Sequence, residues 1–198
     1  MSEGIEQHPS NPGRRAALRK WAGIAPDAAL PPMGTTPGEI SLLQPIPSTG
    51  EPVPAVGLGT RQAFDVAGDP AGIAKARETL RLFVEAGGRI IDSSPMYGSS
   101  ENTVGDLAAD LKLQGALFIA TKVWTSGRDK GIEQMEQSES RLRTRPIDLM
   151  QVHNLLDLQT HLGTLRALKQ QGRIRYFGIT HYTISAQRTG SADQERTA

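Results

Sequence analysis

The chain contains no cysteine, which excludes disulfides, thiol catalysis and cysteine-ligated zinc or iron–sulfur centres while leaving the compartment open. Charge of either sign is not in excess. The formal net charge is +1, so nothing in the balance asks for nucleic acid or an acidic membrane surface as a partner. No apolar run approaches the roughly 20 residues of a membrane-crossing helix, and no membrane span is expected. Length is also short: 198 residues suffice for one domain with a core, whereas a complete eight-stranded α/β barrel needs about 250.

Residues 1–38 are unlike the rest, being rich in Pro, Gly and Ala with Arg14-Arg15 ahead of an alanine-rich stretch. Paired arginines in that place resemble a twin-arginine export signal. Arg19, Lys20, Pro26 and Asp27 interrupt the apolar stretch, and a loosely helical basic leader is the equal alternative. The expected location is therefore cytoplasmic, or periplasmic if the leader directs export. Residues 39–182 carry the patterned sequence, and 183–198 form a polar tail that cannot cover a sheet face.

Within 39–182 a small hairpin with a turn at Ser48-Thr49-Gly50 precedes a strand at Ala55–Leu58. Asp69-Pro70 opens a helix, with Asp as cap and Pro in the first turn, and Gly87-Gly88 stops it. Further strands are predicted at Arg89–Asp92, Leu117–Val123, Ile147–His153 and Tyr176–Thr180. Helical patterns fill the gaps, over 101–111, over 131–143, and after Asp157 to Gly172. Strands at a spacing of roughly thirty residues with helices between them are βαβ units, which force parallel pairing. A doubly wound sheet and a (β/α)8 barrel both satisfy this pattern. The absence of G-x-G-x-x-G after the first strand lowers the dinucleotide-binding doubly wound alternative.

The polar residues at the strand C-terminal ends form one set: Asp92 with Tyr97 in the loop that follows, then Lys122, then His153. Each has an ordinary explanation. Asp92 caps a helix, Tyr97 sits in a turn, Lys122 is a solvated charge, and His153 is a satisfied core residue. Together they make a different sense, because strand C-terminal ends converge on one face of a parallel α/β fold. An ammonium stabilises a phenolate, a carboxylate holds the ammonium, and an imidazole donates to a carbonyl or relays a proton. That is machinery for protonating a carbonyl oxygen.

Five spaced segments carry a further likeness: VGLGT at Val56–Thr60, IDSSPMYGSSE at Ile91–Glu101, IATKVW at Ile119–Trp124, DLMQVHN at Asp148–Asn154 and GRIRYFGIT at Gly172–Thr180. With them the chain resembles the aldo-keto reductase family from about Ile40 to Tyr182. The resemblance implies an α/β (β/α)8 TIM barrel, incomplete here at about five βα units plus an N-terminal hairpin. It implies reduction of small aldehydes and ketones with NADPH by hydride transfer, with neither metal nor flavin. Tyr97 is then the general acid, Asp92 and Lys122 tune it, and His153 orients the carbonyl. Gly59 and Thr60 match positions near the cofactor, Asp92 also approaches its ribose, and Trp124 lines the substrate pocket. Thr180-His181 stands where many members grip the nicotinamide carboxamide with Ser-Asn.

Segments matching the family's last three strands, with the main clamp on the pyrophosphate and the 2′-phosphate, are missing from this sequence. The expectation is a truncated chain with impaired activity, unreadable preference between NADPH and NADH, and self-association through exposed sheet edges. A non-catalytic nucleotide-binding regulatory subunit or an inactive fragment is the competing expectation.

Overall fold

The computed structural model describes residues 42–181. The Arg14-Arg15 leader and the polar tail 183–198 lie outside those residues, as do 39–41 and Tyr182.

A short antiparallel ribbon, β1 (Leu43–Pro45) and β2 (Pro52–Pro54), comes first. The alternating units that follow are β3 (Gly57–Gly59), α1 (Pro70–Glu85), β4 (Ile90–Asp92), α2 (Ser100–Asp110), β5 (Phe118–Val123), α3 (Arg128–Leu142), β6 (Ile147–His153), α4 (Leu158–Gln170) and β7 (Ile174–Thr180). Strands β3 to β7 form one sheet in sequence order, and every neighbouring pair is parallel. That order decides between the two architectures. A doubly wound sheet reverses its strand order at a switch point, whereas a barrel adds each strand beside the last. The described residues hold five successive strands of a TIM-type barrel with the four helices between them.

The helices cover one face of this sheet. Ile91, Ile119, Met150 and Val152 meet Leu80 of α1, Val104 of α2, Met135 and Leu142 of α3, and Leu165 and Leu168 of α4 in one buried cluster. Asp69 caps α1 as predicted, its Oδ1 accepting from Ala71 N at 3.1 Å. Helix α3 starts at Arg128, earlier than the apolar spacing indicated. Its first turn is held from outside, by Asp157 Oδ2 accepting from Gly127 N at 2.7 Å. Asp157 makes no side-chain cap on α4, because its own backbone is left-handed at φ 49. The expected cap residue thus serves the neighbouring helix.

The β1–β2 ribbon lies at the N-terminal ends of the barrel strands. Glu51 Oε2 accepts from Arg175 and from the Tyr176 hydroxyl at 2.5 Å each. Asp148, near the start of β6, accepts from Ile119 N at 2.7 Å and from Arg175 at 2.6 Å. These ties occupy the end of the sheet opposite the one that carries Asp92, Lys122 and His153.

Candidate active site

Register brings the strand-end residues to one face. Gly59 pairs with Asp92, Asp92 with Ala120, Lys122 with Gln151, and His153 with Thr180. Side chains alternate along a strand, so residues two apart on β5 and β6 share a face with their paired neighbours. Gly59, Asp92, Lys122, Gln151, His153 and Thr180 therefore line the inner wall, while Ile91, Ile119 and Val152 point to the helices. A one-residue slip in any strand would send its member of the set into the core.

Lys122 is 3 % exposed overall, and a buried ammonium needs partners for all its protons. It has them. Nζ donates to Asp92 Oδ1 at 2.9 Å, to Asp92 Oδ2 at 2.8 Å and to the Ser93 carbonyl at 2.7 Å. With three protons committed, Nζ makes no hydrogen bond to Tyr97 but stands 5.2 Å from the centroid of its ring. Asp92 keeps an exposed side, its side chain being 41 % accessible, and Gln151 Nε2 donates to its Oδ1 at 3.4 Å.

The turn that carries Tyr97 is fixed from the loop after β3. Gly98 has φ 56, and a Cβ there would collide with the Asp65 carboxylate. That carboxylate accepts from Ser99 N and from Ser99 Oγ, both at 2.8 Å. These bonds hold the Asp65 carboxyl below the usual range, the backbone N–H contributing most. Thr60 is fully buried and donates its hydroxyl to the Asp92 carbonyl at 3.1 Å or to Ser93 Oγ at 2.9 Å. These bonds tie Thr60 to Asp92 and Ser93.

His153 and Trp124 meet edge to face, ring centroids 5.9 Å apart at 81°. Burial pushes the His153 imidazole below its ordinary pKa; the Lys122 and His181 charges add to this and Asp92 opposes it. Tyr97, Trp124 and His153 open onto one pocket of about 350 Å³ together with Arg61, Met96 and Asn154. The Trp124 backbone is held by Gln134, whose Oε1 accepts from the Trp124 backbone N–H at 2.6 Å. Next to it, the Thr125 carbonyl accepts from His161 Nε2 at 2.6 Å.

The matching region is larger than the pocket. The aldo/keto reductase family model matches residues 55–194. The chain belongs to the aldo-keto reductase family. Methylglyoxal reductase DkgB of Salmonella typhi is 32 % identical over 141 residues, which cover 67 % of this chain and 49 % of that protein. Aldo-keto reductase YhdN of Bacillus subtilis is 28 % identical over 159 residues, 73 % of this chain and 48 % of its own length. The chain thus spans about half the length of the curated aldo-keto reductases it matches. Among solved structures, a putative aldo-keto reductase from Pseudomonas aeruginosa superposes with TM-score 0.63 at 29 % identity, over 74 % of this chain and 62 % of that one. An aldo/keto reductase from Klebsiella pneumoniae, solved with NADP and acetate, gives TM-score 0.60 at 26 % identity, over 70 % and 50 % of the two chains.

Asp92, Tyr97, Lys122 and His153 come together at one end of the sheet, and Trp124 lines the pocket with Tyr97 and His153. Thr180 reaches the same wall through its pairing with His153, and His181 follows it. Sequence reasoning overlooked Gln151, Arg61, Met96 and Asn154. Two of these carried a signal: Gln151 precedes His153 by one strand repeat, and Arg61 directly follows Gly59-Thr60.

Proposed function

We propose that this chain reduces aldehyde and ketone carbonyls with NADPH, using Tyr97 as the proton donor. The observation that carries the reading is the Lys122 ammonium, buried against Asp92 and 5.2 Å from the Tyr97 ring centroid, beside a pocket that His153 shares with Tyr97.

The described residues fit the nicotinamide end of such a cofactor. A Cβ placed on Gly59 would meet no atom within 4 Å, so the end of β3 borders open space next to the exposed side of Asp92. Asp92, Thr180 and His181 would hold the cofactor there, with the Gly59 backbone free to lie close. When bound, NADPH supplies a hydride to the carbonyl carbon.

The chain's residues supply the rest. His153, neutral because of its burial, donates a hydrogen bond to the carbonyl oxygen and aims it at the Tyr97 hydroxyl. Tyr97 gives its proton to that oxygen as negative charge builds there. The charge left on the phenol oxygen is stabilised by Lys122, whose ammonium was desolvated in advance and needs no reorganisation. Asp92 keeps Lys122 charged and in place. Trp124 and Met96 supply the apolar wall that keeps water from the reacting carbon.

The test is a fluorescence titration of the purified chain with NADPH, followed by measurement of carbonyl-dependent NADPH oxidation. Saturable binding with turnover of an aldehyde supports the proposal; absence of binding removes it.

We also propose that copies associate through β3 and β7, each of which pairs on one side only among the described residues. Open edge backbone favours such pairing. Sedimentation showing a monomer at all concentrations would refute this.

A further inference from the structure

We propose that Arg61 selects carbonyl substrates that carry an anionic group, a carboxylate or a phosphate, beyond the reacting carbon. The proposal rests on the reductase reading of the pocket and goes past it by naming the substrate class.

Arg61 directly follows the buried Thr60 at the end of β3 and lines the pocket with Met96, Tyr97, Trp124, His153 and Asn154. No acidic side chain lines that pocket. Arg61 is exposed, and its guanidinium takes part in no ion pair or hydrogen bond among the described residues. The other charges nearby are already matched. The Lys122 ammonium is neutralised by Asp92 at 2.8 Å. Asp65, the acid on the same loop as Arg61, stays ionised but turns its carboxylate to Ser99 and does not line the pocket. Burial disfavours the charged form of His153. Arg61 is therefore the one permanently charged side chain among the residues that line the pocket.

A surface arginine with no pocket beside it would carry no such meaning. Here the cation shares a wall with the proton donor and the carbonyl-orienting imidazole, and a guanidinium fork matches carboxylate and phosphate geometry with two parallel hydrogen bonds. Met96 and Trp124 between them provide apolar contact for a short carbon chain. The chemistry recognised is a carbonyl at one end and an anion at the other.

Two matched pairs of aldehydes test this with the full chain and NADPH: succinic semialdehyde against butyraldehyde, and glyceraldehyde 3-phosphate against glyceraldehyde. The intact chain should favour the anionic member, and Arg61→Gln should lower the anionic-to-neutral ratio of kcat/KM by about 10- to 100-fold, mostly through KM. Arg61→Lys should recover part of the ratio, and rising salt should erode it. The pair with the larger change identifies carboxylate or phosphate.

A second readout needs no turnover. In a Trp21→Phe background, Trp124 emission is titrated with benzoate and with benzamide. Tighter benzoate binding that disappears in Arg61→Gln, without turnover of any aldehyde, would refute the reductase reading and leave the anion site standing. Turnover with equal ratios in the two chains, and no benzoate preference, would overturn the proposal and leave the reductase reading intact.

Discussion

Replacing Lys122 by Met removes an ammonium while keeping an unbranched side chain of similar length, and it probes the site where its electrostatics are concentrated. At the 5.2 Å between Nζ and the Tyr97 ring centroid, a unit charge in an effective dielectric of about 20 is worth about 3 kcal/mol. Asp92 lies on the other side of the ammonium and opposes part of that. The field at Tyr97 is then worth roughly half to all of the figure, which corresponds to a loss of about 10- to 150-fold in kcat. Stability changes as well. Asp92 would lose its partner, but its side chain is 41 % exposed and water takes over much of the charge, so the cost is about 1 kcal/mol. The double variant Lys122→Met, Asp92→Asn separates the two effects: it should regain the lost stability in a urea melt without regaining the rate. Carbonyl-dependent NADPH oxidation gives kcat for the three chains. A Lys122→Met chain that keeps kcat within about threefold would refute the argument that the buried ammonium assists Tyr97.

His153 should titrate below the ordinary histidine value, because burial and the Lys122 charge both disfavour its protonated form. The unfolded chain then binds the proton more readily, so His153 costs no stability above the unfolded value and lowers stability as pH falls through the window down to its depressed folded value. NMR titration of the imidazole should report that low midpoint, and Lys122→Met should move it upward; a midpoint at or above that of a free histidine would contradict the reading. Gly105→Ala and Gly163→Ala should change stability in opposite directions although both lie in helices. A Cβ on Gly105 runs into the Arg141 backbone carbonyl where α2 crosses α3, whereas one on Gly163 meets nothing within 4 Å. The first should cost about 1–3 kcal/mol and the second should gain about 0.5–1 kcal/mol in a denaturant melt; equal signs would show that the α2–α3 approach is looser than described.

The strand ends were legible because strand alternation is a local rule. Asp92, Lys122 and His153 each close an apolar run, and parallel pairing puts such ends on one side whatever the overall architecture. Architecture itself was not decidable from periodicity, since a barrel and a doubly wound sheet share the βαβ repeat; the sequential strand order from β3 to β7 decides it. Asp157 illustrates a second limit. Its position before α4 reads as a cap, yet the left-handed backbone turns its carboxylate to Gly127, a tertiary choice that no local pattern records. Arg61 and Gln151 carried only a positional signal, one just after Gly59-Thr60 and the other one strand repeat before His153, and their place in the site emerges only once the neighbours across the sheet are known. His161, fully buried under the Trp124 loop, reads in sequence only as one polar position among the leucines of α4.

Tyr97→Phe tests the proton donor most directly. The substitution deletes one oxygen and leaves the ring beside Lys122. NADPH binding, followed by fluorescence, should persist while carbonyl-dependent NADPH oxidation falls by at least about 100-fold. Oxidation that continues at the rate of the intact chain would contradict the assignment of Tyr97.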